Sequence, residues 1–174
     1  DHREPLAPEQ ATTAVFYSIS NCQRGLRGIS FGNFLIKQVV EELRREFPWL
    51  TKFATLSPLP RLASSLRAAL KREGGGMDPD LVAAILREHA GRLVEATAAP
   101  SASEALLRLL DRDQILRHRT LLERPLQQLA MAYLLTRGPR GPLDPEAAFH
   151  LANGARLETL RPFADPSARG LALS

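Results

Sequence analysis

The sequence predicts an α/β chain: a strand–helix–strand unit near the N-terminus, followed by a long block of helices. Three observations carry that prediction. Val15, Phe16, Tyr17 and Ile19 form a β-branched and aromatic run that reads as a buried strand over residues 12–20. The apolar residues at 31, 35, 36, 39, 40, 43 and 47 then share one helical face, with Lys37, Gln38, Glu41, Glu42, Arg44 and Arg45 largely opposite. Downstream, residues 62–73, 78–97, 101–110 and 122–136 repeat the helical period with no strand pattern between them.

The first strand empties into a loop with glycines at 25 and 28 and arginines at 24 and 27. Glycine opens backbone angles closed to other residues, and the free N–H groups at the start of the following helix favour an anion. Strand, glycine loop and helix start together make a candidate seat for a pyrophosphate. The string QRGLRG lacks the Lys-Ser/Thr ending of a Walker loop, and its glycine spacing is not that of a Rossmann fingerprint. It is closer to the loop with which acyltransferase folds hold coenzyme A (CoA), although a glycine turn before a helix is most often only a turn.

Pro48 stops the first helix, and residues 53–56 form a second strand that ends at Ser57-Pro58-Leu59-Pro60, where two prolines forbid further ladder pairing. A strand–helix–strand order favours parallel pairing. In the helical block Asp78 before Pro79, and Ser101 or Ser103 ahead of Glu104, are N-caps. Gly74-Gly75-Gly76 is a flexible surface break, and the block reads as a helical insertion. After a loop at residues 138–142, residues 145–151 form a short helix capped by Asp144, and Asn153-Gly154 makes a tight turn into residues 155–160, which read as a strand. The abrupt end of the chain reads as that of a fragment.

A chain of 174 residues with 44% hydrophobic and 24% charged residues is long enough for one domain with a real core, or part of a larger one. It has no apolar run long enough to span a bilayer and no secretory pattern, so no membrane role is expected and an intracellular location is. The single cysteine, Cys22, excludes an internal disulfide and any multi-cysteine zinc site. It reads as a small loop residue rather than a nucleophile, since no base lies beside it. The net charge of +4 invites a nucleic-acid partner. The arginines, however, are interleaved with acids rather than gathered in a block, so a mixed-charge surface is the better account and no nucleic acid is expected. His89 and His118 sit among charged neighbours without a second ligand at metal spacing, and read as surface or cap residues. No metal is expected.

Three stretches together resemble one family. AVFYSISNCQRGLRGISFGNFLIKQVVEELRREFP (residues 14–48), ATLSPLP (54–60) and PEAAFHLANGARLETLRPFADPSARG (145–170) are similar, in order and approximate spacing, to the C-terminal catalytic domain of malonyl-CoA decarboxylases. The segment 121–135 is also similar. The resemblance implies an acyl-CoA N-acyltransferase (GNAT)-like α/β fold with a mixed sheet, incomplete here, and the conversion of malonyl-CoA to acetyl-CoA and carbon dioxide without metal or organic cofactor. CoA is then part of the substrate. The domains it implies are a CoA-binding unit over residues 12–60, the helical insertion over 61–137 and a histidine-bearing segment over 138–174.

The family's CoA-binding segment falls on Arg27, Gly28, Ile29, Ser30, Phe31, Gly32 and Asn33, and the loop reading adds Gln23, Arg24 and Gly25. Its serine proton acceptor falls on Ser57 and its proton-donating histidine on His150. Ser30 stands where some members carry an acidic residue, which removes a candidate partner for the active serine. Family members also have a tyrosine-bearing segment beyond residue 174, and a helical oligomerisation domain with earlier strands before residue 1. The full-length protein is therefore expected to be a homo-oligomer. A bacterial-type cytoplasmic location is expected, with an organellar one left open.

The residues suit this chemistry. A malonyl thioester is its own electron sink, so the protein must seat the CoA, orient the carboxylate, stabilise an enolate oxygen and deliver a proton. Ser57 can hydrogen-bond the carboxylate or relay a proton, though by itself it is a plain Ser-Pro turn residue. His150, flanked by Phe149 and Leu151, can protonate an enolate, though by itself it reads as a core histidine. Asn153 and the amides of its turn are candidate ligands of the carbonyl or enolate oxygen. The competing readings are an acetyl-CoA-dependent N-acyltransferase and a non-catalytic module binding CoA or nucleic acid.

Overall fold

The computed structural model describes residues 7–17, 32–139 and 141–173. The chain divides into two compact units, Asp1–Ser57 and Pro58–Ser174, and its described part is a mixed α/β structure, mostly helical with small sheets.

In the first unit, β1 (Thr13–Tyr17) and β2 (Lys52–Leu56) pair in parallel, from Thr13 opposite Lys52 to Tyr17 opposite Leu56. Helix α1 (Gly32–Glu46) lies between them in sequence. This is the parallel strand–helix–strand order expected from the hydrophobic pattern. Helix α1 hands over to β2 through a tight turn in which Leu50 N–H donates to the Phe47 carbonyl at 2.9 Å. The Thr51 and Lys52 amides then both donate to the Thr12 carbonyl at 3.0 Å, which sets the register.

The run at Val15 to Tyr17 predicts a buried strand, but the strands are not buried on both faces, and residues 18–20 of the expected strand lie outside the described residues. Ala14, Phe16, Phe53 and Thr55 are half-buried, whereas Val15, Tyr17 and Leu56 are exposed. The alternation follows from the pleat, because successive side chains point to opposite faces. On the inner face, the Arg44 guanidinium of α1 lies 5.1 Å from the centre of the Phe53 ring. On α1 itself Ile36, Val40 and Leu43 are half-buried, while Leu35 and Val39 of the expected apolar face are exposed.

The second unit holds α2 (Leu62–Leu70), α3 (Pro79–Arg87), α4 (Ala90–Thr97), α5 (Ala102–Leu109), α6 (Arg112–Arg117) and α7 (Arg119–Leu135). A two-rung antiparallel hairpin of β3 (Arg137–Gly138) and β4 (Gly141–Pro142) follows, then α8 (Pro145–Ala152) and α9 (Ala168–Leu173). One apolar core joins α2 to α7, with Leu66, Leu86, Leu93, Leu106, Leu129 and Tyr133 at its centre and Leu171 of α9 packed against it. Each fully buried leucine contributes roughly 1.5–3 kcal/mol relative to exposure.

The caps fall where the sequence places them. Asp78 accepts from Asp80 N–H at 2.9 Å and Ser101 from Glu104 N–H at 3.2 Å. Other expectations need correction. Residues 78–97 form two helices, not one, broken at Glu88-His89. Leu86 and Leu93 are both fully buried on either side of the break, so their heptad spacing runs straight through it and periodicity could not reveal it. Helix α2 stops at Leu70, ahead of Arg72 in the left-handed region at φ 59°. Residues 155–160 are not a strand: they are irregular and mostly exposed, with no ladder partner among the described residues. A strand needs a neighbour to satisfy its amides, and side-chain pattern alone cannot supply one.

Candidate active site

The candidate proton donor, His150, sits on α8, and the way the chain enters this helix is well defined. Helix α7 closes with Thr136 N–H shared between the Ala132 and Tyr133 carbonyls, at 3.0 and 3.1 Å. The β3–β4 hairpin then folds the chain back, helped by Gly141 at φ +116°, and Leu143 N–H donates to the Thr136 carbonyl at 2.9 Å. This return brings Asp144 to Tyr133, 11 residues earlier, whose hydroxyl donates to Asp144 Oδ2 at 3.1 Å. The other carboxylate oxygen, Oδ1, accepts from Ala147 N–H at 2.8 Å and caps α8 as the sequence predicts. Both side chains are fully buried. Burial, then the charge of Asp144 and its hydrogen bond, push the Tyr133 phenol well above the ordinary tyrosine value, with Arg61 opposing.

His150 lies in the last turn of α8, half-buried, its ring edge-to-face with Phe149 at 5.1 Å and 80°. The helix ends directly beyond it. Asn153 N–H and Ala155 N–H both donate to the His150 carbonyl at 3.1 Å, and Gly154 takes φ +82°, so the expected Asn-Gly turn is present. The Asn153 side-chain amide donates to the Phe149 carbonyl at 2.6 Å. His150 and Asn153 are thus neighbours at one helix end.

Ser57 is exposed, directly after the last residue of β2 and before Pro58. It belongs to the first unit, and His150 and Asn153 to the second. Of the candidate CoA loop, Gly32 and Asn33 open α1. Gln23, Arg24, Gly25, Arg27, Gly28, Ile29, Ser30 and Phe31, like Cys22, lie outside the described residues. Among the described residues no group of three or more His, Cys, Asp or Glu side chains could hold a metal ion, and no helix is long and apolar enough to cross a membrane.

Two features of the second unit escape sequence reasoning. His89, expected at the surface or as a cap, is 4% exposed. Its backbone does stand at the N-cap of α4, but its Nε2 meets Gln128 Oε1 of α7 while its Nδ1 is buried without a hydrogen-bond partner. Tyr133 reads in sequence only as one more apolar-face residue of α7. The available signal was its hydroxyl, which must find a partner when the ring is buried.

The model of the malonyl-CoA decarboxylase C-terminal domain matches residues 1–174. The chain belongs to this family. It is 36% identical over 170 residues to the mitochondrial malonyl-CoA decarboxylase of Anser anser anser, covering 95% of this chain and 33% of that protein. With the mitochondrial malonyl-CoA decarboxylase of Rattus norvegicus it shares 39% identity over 165 residues, 92% of this chain and again 33% of the relative. Among solved structures, malonyl-CoA decarboxylase from Rhodopseudomonas palustris superposes with a TM-score of 0.65 at 43% identity, over 99% of this chain and 36% of that one. The Agrobacterium vitis malonyl-CoA decarboxylase gives 0.60 at 40% identity, over 99% and 39%. The chain therefore spans about a third of the length of the mitochondrial family members it matches.

Proposed function

We propose that this chain is the catalytic portion of a decarboxylase that converts malonyl-CoA to acetyl-CoA and carbon dioxide. The observation that carries the proposal is the family match along the whole chain, together with 36–39% identity to proteins named for that activity. In this reaction the bond between the α-carbon and the carboxylate breaks, and its electron pair passes into the thioester as an enolate. One proton is then delivered to the α-carbon. His150, half-buried at a defined helix end, is the proposed proton donor, and Ser57 the proposed hydroxyl that orients the carboxylate or relays the proton. Asn153 is proposed to help hold the thioester oxygen.

The CoA pyrophosphate is proposed to rest against Gln23, Arg24, Gly25, Arg27, Gly28, Ile29, Ser30, Phe31, Gly32 and Asn33. The same proposal includes a GNAT-like sheet, no metal or organic cofactor, a homo-oligomeric full-length protein and a bacterial cytoplasmic location. The deciding experiment is incubation of the full-length protein with malonyl-CoA and no acceptor. Release of carbon dioxide with stoichiometric acetyl-CoA is expected. Acyl transfer that requires an added amine, with no carbon dioxide, would replace the decarboxylase with an N-acyltransferase.

A further inference from the structure

Helix α8 contributes no fully buried side chain of its own, so an apolar face sunk into the core does not anchor it. Residues 146–150 are half-buried, and the fully buried contact stands at the helix start. Asp144 is wholly buried and divides its carboxylate between two elements, Oδ1 to Ala147 N–H in the first turn of α8 and Oδ2 to the Tyr133 hydroxyl in α7. The other aspartate caps differ, for Asp78 and Asp111 cap α3 and α6 from the exposed surface. A buried carboxylate is costly unless its oxygens are bonded, so Asp144 depends on both of these bonds in a way the exposed caps do not.

We propose that the Tyr133–Asp144 hydrogen bond is a latch that fixes the direction of α8 and so holds the His150 imidazole at the reacting centre. Tyr133 and Asp144 are then positioning residues. The inference rests on His150 being the proton donor. The lever is long enough to matter: at 1.5 Å per residue the helix carries His150 roughly 9 Å beyond Asp144. A tilt of about 10° would therefore move the imidazole by about 1.5 Å, and misplacement on the scale of 1 Å costs about a hundredfold in rate.

The test uses the full-length protein. Tyr133→Phe keeps the ring in the core and removes only the hydroxyl. It is expected to lower kcat at least tenfold, leave KM for malonyl-CoA within twofold, and move the NMR signals of the His150 ring. Asp144→Asn keeps an oxygen for Ala147 N–H and an amide that can donate to the Tyr133 oxygen, so it should retain kcat within threefold with His150 signals in place. Asp144→Ala should fall at least as far as Tyr133→Phe. Wild-type kcat and unmoved His150 signals in Tyr133→Phe would overturn the latch, as would Asp144→Asn falling as far as Asp144→Ala. His150→Asn separates the two ideas: if that variant keeps full turnover, the proton-donor role fails, while the ring signals in Tyr133→Phe still decide the latch.

Discussion

The two side chains on which the chemistry is proposed to turn make different demands on their surroundings. His150 must present a ring nitrogen to a carbon atom, and its half-burial on α8 gives it a fixed backbone with a solvent-accessible side. Replacing it with asparagine should lower turnover by roughly 10²–10⁴-fold, the usual worth of a positioned acid. CoA affinity, read by calorimetry, should change little. Ser57→Ala should likewise lower kcat more than it weakens binding, and equal losses in both would make Ser57 a structural residue. Tyr133 gives a pH signature of its own. Its phenol is raised in the folded protein, so as pH climbs through about 10 the unfolded chain releases the proton first. The contribution of Tyr133 is thus fully present below pH 10 and erodes above it. Urea unfolding between pH 9 and 11 should show that fall, and Tyr133→Phe should remove it.

At the scale of the element, the cap chemistry is the most local and was the most legible. Asp78, Ser101 and Asp144 cap α3, α5 and α8 because a short polar side chain before a helix bonds to that helix's own amides, a matter of a few residues. Ser101→Ala should cost about 1 kcal/mol in denaturant unfolding. What local pattern cannot carry is anything that depends on a distant partner. The burial of the His89 ring goes with a contact to Gln128, 39 residues away, and the missing strand at residues 155–160 depends on a neighbour that the described residues do not supply. The Asp144 cap was readable from Pro145 beside it, whereas its second bond to Tyr133 was not. Of the candidate site, Ser57 and His150 could be named because they sit in family-like strings. Their position at a strand end and a helix end was also readable from Pro58 and from Asn153-Gly154. Gly76 shows the same limit, for a methyl there would stand 2.6 Å from Ser65 Oγ and 3.0 Å from the Ser65 carbonyl oxygen.

For the whole molecule, the division into two units separates two kinds of stability. The second unit has a buried core in which Leu106 and Leu129 are fully enclosed, so truncating either to alanine should cost about 2–5 kcal/mol through lost burial and the cavity left behind. Among its described residues the first unit has two paired strands, one α-helix and a 3-10 turn at Pro8–Gln10, and Val15, Tyr17 and Leu56 on its outer face are exposed. Deuterium uptake should report the contrast. In a parallel ribbon alternate amides of each strand point away from the partner, and those in β1 and β2 that find no acceptor should exchange within seconds. The amides of α5 and α7, sheltered by the leucine core, should hold their protons until the helices themselves come apart.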